Sequence, residues 1–114
     1  MKTLNTVSGS DIIFPEGHVY ELENFENKEA RGQQIVFITK TPTAANDGTL
    51  QTLQDGTTNE DVIKVLIHRL GCLAAKFPSR ENALAVTKLE EALMWLEQRT
   101  KNRLARGVEG KALA

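Results

Sequence analysis

Three arginines near the end of the chain are the residues whose types and spacing are best suited to chemistry. Arg99, Arg103 and Arg106 are separated by four and three residues, so in an α-helix they share one face. A guanidinium group can form two parallel hydrogen bonds to a phosphate and can also stack on a nucleobase. Trp95 lies one turn earlier, where we expect it to pack in the core or against another subunit. The row predicts a site for a planar anion such as a nucleotide, and a solvated helix face is the simpler alternative.

The distribution of charge favours a small anionic ligand over duplex DNA. The chain has 114 residues and a net charge of −1. Residues 1–57 carry four cations and eight anions, whereas residues 58–114 carry ten cations and seven anions. A protein that binds a polyanion over its whole surface is usually basic overall. The basic character of this chain is local.

A second group of candidates lies at a turn that precedes the arginine-bearing segment. Pro78 disfavours a helix at Phe77, and Ser79 is a typical N-cap for the helix that follows. Arg80 and Asn82 fall in the first turn, where free N–H groups bind anions and an asparagine can contact a base edge or a ribose hydroxyl. A turn with a cap explains Pro78 and Ser79 without any ligand, but it explains Arg80 and Asn82 less well.

The sequence contains no recognisable catalytic or metal-binding motif. Cys72 is the single cysteine, so no intramolecular disulfide is possible, and we expect it to be a small buried hydrophobic residue. His68 is expected to be structural or exposed. The adjacent Glu90 and Glu91 point apart on a helix and are expected to face solvent, as is Glu97. We therefore expect a protein that is not an enzyme and that uses no metal and no cofactor.

The composition is that of a soluble globular protein, and we expect the chain to stay in the cytoplasm. Apolar residues make up 40% of the chain and charged residues 25%. No window approaches the ~18 apolar residues of a membrane span. The first residues also lack the apolar region of a signal peptide. We expect a single domain over residues 1–114 with a small core that partner subunits help to complete.

The first half of the chain is predicted to form strands. Between residues 10 and 56, short segments rich in β-branched and aromatic residues are separated by polar turns. This pattern predicts a small N-terminal antiparallel β-sheet of three or four strands. The predicted segments are residues 10–14, 18–25, 35–40 and 49–53, and the continuous β-branched run at 35–40 is the strongest of them.

The second half, residues 58–107, is predicted to form a C-terminal antiparallel helical hairpin, which makes the fold class α+β. The first helix begins at Thr58 or Asn59 and ends near Lys76 or Phe77, before the short turn.

The second helix begins after Ser79 and runs without Gly or Pro to Arg106, where Gly107 offers a left-handed stop. Lengths of about 17 and 27 residues correspond to ~26 Å and ~40 Å. The last turns of the second helix, which carry the arginine row, must therefore meet the sheet, a neighbouring subunit or a ligand.

Several motifs between residues 55 and 110 carry a family resemblance. They are Asp55-Gly56-Thr57-Thr58-Asn59-Glu60, Val65-Leu66-Ile67-His68-Arg69-Leu70, Lys76-Phe77-Pro78-Ser79-Arg80-Glu81-Asn82, Lys88-Leu89-Glu90-Glu91-Ala92-Leu93-Met94-Trp95-Leu96, and Arg99-Thr100 with Arg106-Gly107-Val108-Glu109-Gly110. Together they resemble the Thoeris anti-defence (Tad) sponges of bacteriophages, which share their helical hairpin with the anti-CBASS sponges. The resemblance covers about half of the chain.

The resemblance implies a phage-encoded protein that acts in the host cytoplasm without catalysis. Such a protein binds and sequesters a host cyclic nucleotide signal, especially glyco-cyclic ADP-ribose (gcADPR), so that Thoeris immunity is blocked. Some members of the family also take up cyclic di- or trinucleotides, which extends the expectation to CBASS immunity. Members form homo-oligomers, dimers or hexamers, with ligands in recesses between subunits. The alternative is a hairpin module that binds nucleic acid or a host protein through its basic helix.

The resemblance also implies roles for individual residues. Arg99 and Arg103 match basic positions that grip a pyrophosphate, and Arg80 and Asn82 match polar contacts at the hairpin tip. The full set of expected ligand-binding residues is Phe77, Arg80, Asn82, Arg99, Arg103, Arg106 and Glu109.

Overall fold

The described residues of the computed structural model, 4–6, 17–45 and 47–107, have an α+β architecture in which five strands precede two helices. The strands are β1 (Leu4–Thr6), β2 (Val19–Leu22), β3 (Gln33–Val36), β4 (Thr39–Pro42) and β5 (Leu50–Gln54), and the helices are α1 (Asn59–Lys76) and α2 (Arg80–Ala105). The chain divides into two compact units. One holds the described residues up to Thr41 together with Gln51–Thr57, and the other holds the described residues of 42–50 and those from 58 to 107.

The strands form two sheets rather than the single sheet that we predicted. The first has the order β1-β2-β3 and is antiparallel, with Val19 opposite Val36 and Tyr20 opposite Ile35. Tyr20 also makes an edge-to-face contact with Phe37, whose ring centroid lies 5.9 Å away. The second sheet pairs β4 with β5. The predicted strand at residues 10–14 lies outside the described residues.

The prediction of one continuous strand at residues 35–40 is wrong, because the chain changes its hydrogen-bonding partner in the middle of this run. The Phe37 N–H donates to the His18 carbonyl at 2.8 Å, which extends the pairing with β2. The next N–H, that of Ile38, donates instead to the Thr57 carbonyl at 2.9 Å. β-branched composition predicts extended backbone, but it does not specify which neighbour the backbone pairs with.

Gly56 is required where this change of partner occurs. A Cβ atom added to Gly56 would lie 2.7 Å from the Phe37 carbonyl carbon and 2.8 Å from that of Val36, and it would also clash with the Val36 carbonyl oxygen. These are backbone atoms, so the contact cannot be relieved by a rotamer change.

We expect Gly56→Ala to lower the free energy of unfolding by about 1–3 kcal/mol, because the added methyl group forces this backbone apart. Urea denaturation measures the change. The matched control is Gly71→Ala in α1, where a Cβ atom meets nothing within 4 Å. There, alanine should stabilise the helix by about 0.8–1.0 kcal/mol. Equal midpoints for wild type and Gly56→Ala would contradict the close approach.

The helical hairpin follows the predicted boundaries closely. The Thr58 side chain caps α1 by accepting from the Asp61 N–H at 3.2 Å, and the Ser79 side chain caps α2 by accepting from the Asn82 N–H at 3.2 Å. After α2, Gly107 adopts the predicted left-handed conformation with φ of 70°. The helices have 18 and 26 residues. None of the described helices combines the length and apolarity needed to cross a bilayer.

The two helices pack through half-buried side chains that recur every three or four residues. On α1 these are Ile63, Ile67, Leu70 and Ala74, and on α2 they are Asn82, Val86, Leu89, Leu93, Leu96 and Thr100. We call the α2 set the seam. Within the described parts of the chain, no apolar side chain is fully buried, whereas several large ones are exposed. Such exposure is typical of chains that complete their core by association.

Candidate functional site

The three arginines at the end of α2 occupy two different environments. Arg99 and Arg106 are exposed, whereas Arg103 is only 6% exposed. The reason lies in the spacing. Arg103 follows Thr100 by three residues and therefore continues the seam, while Arg99 and Arg106, seven residues apart, lie together on one side of it. A shared helix face does not imply equal access to a ligand. Arg99 and Arg106 are the members of the row that an external anion can reach, and Glu109 lies outside the described residues.

Trp95 is exposed beside Arg99 in the protomer. Its side chain is 62% exposed, so the expectation that it packs in the protomer's own core is wrong, and packing against another subunit remains a prediction. Residues four apart on a helix are surface neighbours, with Cβ atoms ~5–6 Å apart. The indole of Trp95 and the guanidinium of Arg99 therefore offer an aromatic face and a forked cation on one patch. This combination suits a ligand that has both a base and a phosphate.

The hairpin tip presents the second group of predicted residues. Phe77 and Arg80 are exposed, and Asn82 is half-buried at the start of the seam. The capping hydrogen bond described above occupies the Asn82 N–H with the Ser79 hydroxyl, and that hydroxyl donates to the Glu81 carboxylate at 3.2 Å. One of the N–H groups that we expected to bind an anion is thus already paired. The side chains of Phe77, Arg80 and Asn82, here called the tip cluster, are what the turn offers to a ligand.

The structure does not bring the tip cluster and the arginines together within one protomer. Asn82 and Arg99 lie 17 positions apart on the continuous helix α2. At 1.5 Å per residue this is ~26 Å, which approaches the diameter of a small domain. One compact nucleotide cannot touch both groups of one chain.

Sequence reasoning missed a basic groove on α1. It has a volume of about 610 Å³ and is lined by Lys64, Val65, His68, Arg69, Cys72, Leu73 and Lys76. The expectation that Cys72 is buried is wrong: it is exposed in this groove, and its Sγ lies 3.9 Å from the ring nitrogens of His68. The signal was present in the sequence, since the segment from Lys64 to Lys76 contains no acidic residue.

The same hairpin is found in known proteins. Residues 33–101 match the model of the Acb2/Tad1 hairpin domain, which is more than half of the chain. The chain belongs to the Acb2/Tad1 hairpin family. A relative from Bacillus phage SBSphiJ7, named Thoeris anti-defense 1, is 56% identical over 57 residues. That alignment covers 49% of this chain and 40% of the relative, so the chain matches less than half of the relative's length.

The family match includes some of the candidate residues and leaves out others. The matched range includes the whole tip cluster and Arg99, but it ends at Lys101, before Arg103 and Arg106. The hairpin tip and the Trp95–Arg99 patch therefore lie in the part of the chain that the Acb2/Tad1 hairpin family shares. In the described part of the chain, no three His, Cys, Asp or Glu side chains are grouped as metal ligands.

Proposed function

We infer that the chain is a phage anti-defence protein that binds and holds a host cyclic nucleotide signal of the gcADPR type without cleaving it. The observation that carries this proposal is the 56% identity to a protein named Thoeris anti-defense 1, together with an exposed Trp95–Arg99 patch in the matched range. In this proposal the protein acts in the host cytoplasm, where the signal is made. Uptake of cyclic di- or trinucleotides, and with it inhibition of CBASS, belongs to the same proposal.

The chemistry of the exposed patch supports capture. Arg99 supplies charge-assisted hydrogen bonds to a pyrophosphate, and Trp95 supplies a stacking surface for a base. Arg106 adds a second exposed cation. Hydrolysis needs a nucleophile, a base and a group that orients them close to the bound phosphate. The His68–Cys72 pair is the described arrangement that comes nearest to this, and it lies on α1 rather than on the patch.

The distance between the tip cluster and Arg99 supports a site shared by two subunits. Two copies of α2 that lie antiparallel bring the tip cluster of one copy to the arginines of the other. The proposed ligand then contacts Phe77, Arg80 and Asn82 of one copy together with Arg99 and Arg106 of its neighbour. Arg103 lies on the same helix end, and Glu109 follows Arg106 by three positions in the sequence. The protein is accordingly proposed to be a homo-oligomer, either a dimer or a hexamer. The lack of fully buried apolar side chains among the described residues is consistent with such association.

The proposal is tested by capture and recovery of the ligand. The purified protein is incubated with gcADPR isomers, and its melting temperature is compared with that of the free protein. A ligand at ~100 times its Kd stabilises the folded state by ~2.7 kcal/mol, which gives a rise of several degrees. After heat denaturation, mass spectrometry of the released small molecule should find it intact. Recovery of a cleaved product would instead identify a hydrolase. Salt-sensitive binding of duplex or single-stranded nucleic acid, without any response to the cyclic nucleotide, would favour the nucleic-acid module.

A further inference from the structure

The outer face of α1 is basic, and its cations form no ion pair with the described residues. The half-buried residues Ile63, Ile67 and Leu70 face α2, so the basic groove, half a turn away, lies on the opposite side of α1. Three of its seven lining residues are cations, and a fourth is His68. None of the three cations takes part in an ion pair with another described residue. Val65, which is 64% exposed, provides apolar surface between these charges.

One exposed flank of α2 has the opposite pattern. From Leu89 to Gln98 the sequence contains three glutamates and no cation. Glu90, Met94 and Glu97 are spaced by four and three residues, so they form one exposed stripe that runs along one side of the seam. Met94 is 52% exposed, and neither Glu90 nor Glu97 forms an ion pair with another described residue. We call these three residues the acidic stripe.

We propose that the basic groove of one copy of this chain receives the acidic stripe of a second copy. Each surface has apolar side chains between charges, and the two signs are complementary, which favours this pairing and disfavours contact of either surface with itself. Because the contact joins two different surfaces, each copy can use both at once. It therefore extends an assembly beyond the pair of copies that an antiparallel α2 contact makes. This inference rests on the proposed homo-oligomer and names the surface that distinguishes a hexamer from a dimer.

Charge reversal tests the contact, with the molar mass in solution as the measurement. In analytical ultracentrifugation, Lys64→Glu/Arg69→Glu is expected to reduce the mass of the wild-type assembly by at least half, and so is Glu90→Lys/Glu97→Lys. A chain with all four substitutions should recover the wild-type mass, because its two surfaces are complementary again. Lys40→Glu, an exposed cation on β4, is the matched control and should leave the mass unchanged. Circular dichroism confirms that each variant is folded. Recovery of the wild-type mass by the four-substitution chain would also show that the substitutions in the two double variants do not prevent folding.

The outcomes separate this contact from the proposed function. If the reversed variants keep the wild-type mass, or if the four-substitution chain does not recover it, the contact is wrong. Tripolyphosphate serves as a probe for anion binding in the groove. If Lys64→Glu/Arg69→Glu loses tripolyphosphate binding but keeps the wild-type mass, the groove binds an anion and the proposed contact is wrong. A wild-type protein that is a monomer contradicts the proposed oligomer as a whole. Capture of gcADPR is measured independently of mass, so its failure counts against the proposed function alone.

Discussion

Replacing Arg99 with alanine is expected to weaken capture of gcADPR isomers about 10- to 100-fold while leaving the melting temperature of the free protein unchanged. Hydrogen bonds to a charged group contribute ~1.5–3 kcal/mol, and each 1.4 kcal/mol corresponds to tenfold in affinity. Arg99 is exposed and lies outside the seam, so its loss removes no packing between the helices. Isothermal titration calorimetry measures the affinity, and a thermal melt without ligand measures the stability.

Two further variants show whether this effect belongs to Arg99 specifically. Lys101→Ala removes an exposed cation two residues away, on the other side of α2, and should bind normally. Arg103→Ala removes a buried guanidinium whose residue takes part in an interaction, so it should lower the stability of the free protein by about 1–3 kcal/mol. If Lys101→Ala and Arg99→Ala lose the same affinity, the ligand is attracted by the positive charge of this region in general and not by a specific contact with Arg99. An unchanged affinity in Arg99→Ala would remove this residue from the site.

A mixture of two defective chains is expected to bind ligand where neither chain binds alone. One chain carries Arg80→Ala and Asn82→Ala at the tip, and the other carries Arg99→Ala. If the site takes its tip from one subunit and its arginines from the neighbour, one of the two sites in a mixed symmetric pair is fully intact. Purified mixed pairs, selected with two different affinity tags, should therefore capture about half as much gcADPR as the wild type does.

The control for this experiment uses a chain with all three substitutions. Paired with the Arg99→Ala chain, it leaves no intact site, so the mixed pair should capture no more than the separate variants do. If the tip and Arg99 variants also fail to restore binding together, the two groups do not form a site across subunits. The ~26 Å between them along α2 would then mean two separate sites in each chain.

The helical half of the fold was predictable because its signals are local. Ser79 and Thr58 specify their caps through their own side chains, and Gly107 specifies the helix end through its own backbone. The strands were less predictable because pairing depends on distant residues. The sequence of residues 35–40 does not show that the Ile38 N–H bonds to Thr57 rather than to β2. The need for glycine at position 56 follows only from the close approach of Val36 and Phe37 in the folded structure.

The candidate site was predictable in residue type but not in exposure or distance. The spacing of Arg99, Arg103 and Arg106 correctly suggested one side of a helix, yet the sequence did not show that Arg103 continues the seam. The seam pattern ends at Leu96 if only apolar residues are counted. Cys72 was misplaced for a related reason: a small thiol is compatible with a core, and only the position of α2 against the opposite face of α1 reveals that it is outside.

The seam of α2 also sets the register of the hairpin. Its middle is apolar, but Asn82 begins it, and Thr100 and Arg103 end it. In coiled coils, polar residues at such positions select one alignment of the helices over those displaced by a heptad. A displacement of α2 by seven residues toward the tip would place Arg103 where Leu96 now packs. The cation would leave the buried position in which it now has a partner and would lie among aliphatic side chains. The alignment of the two helices therefore determines how far the last turns of α2 project beyond α1. It also fixes the distance at which a second subunit must lie to contact Arg99.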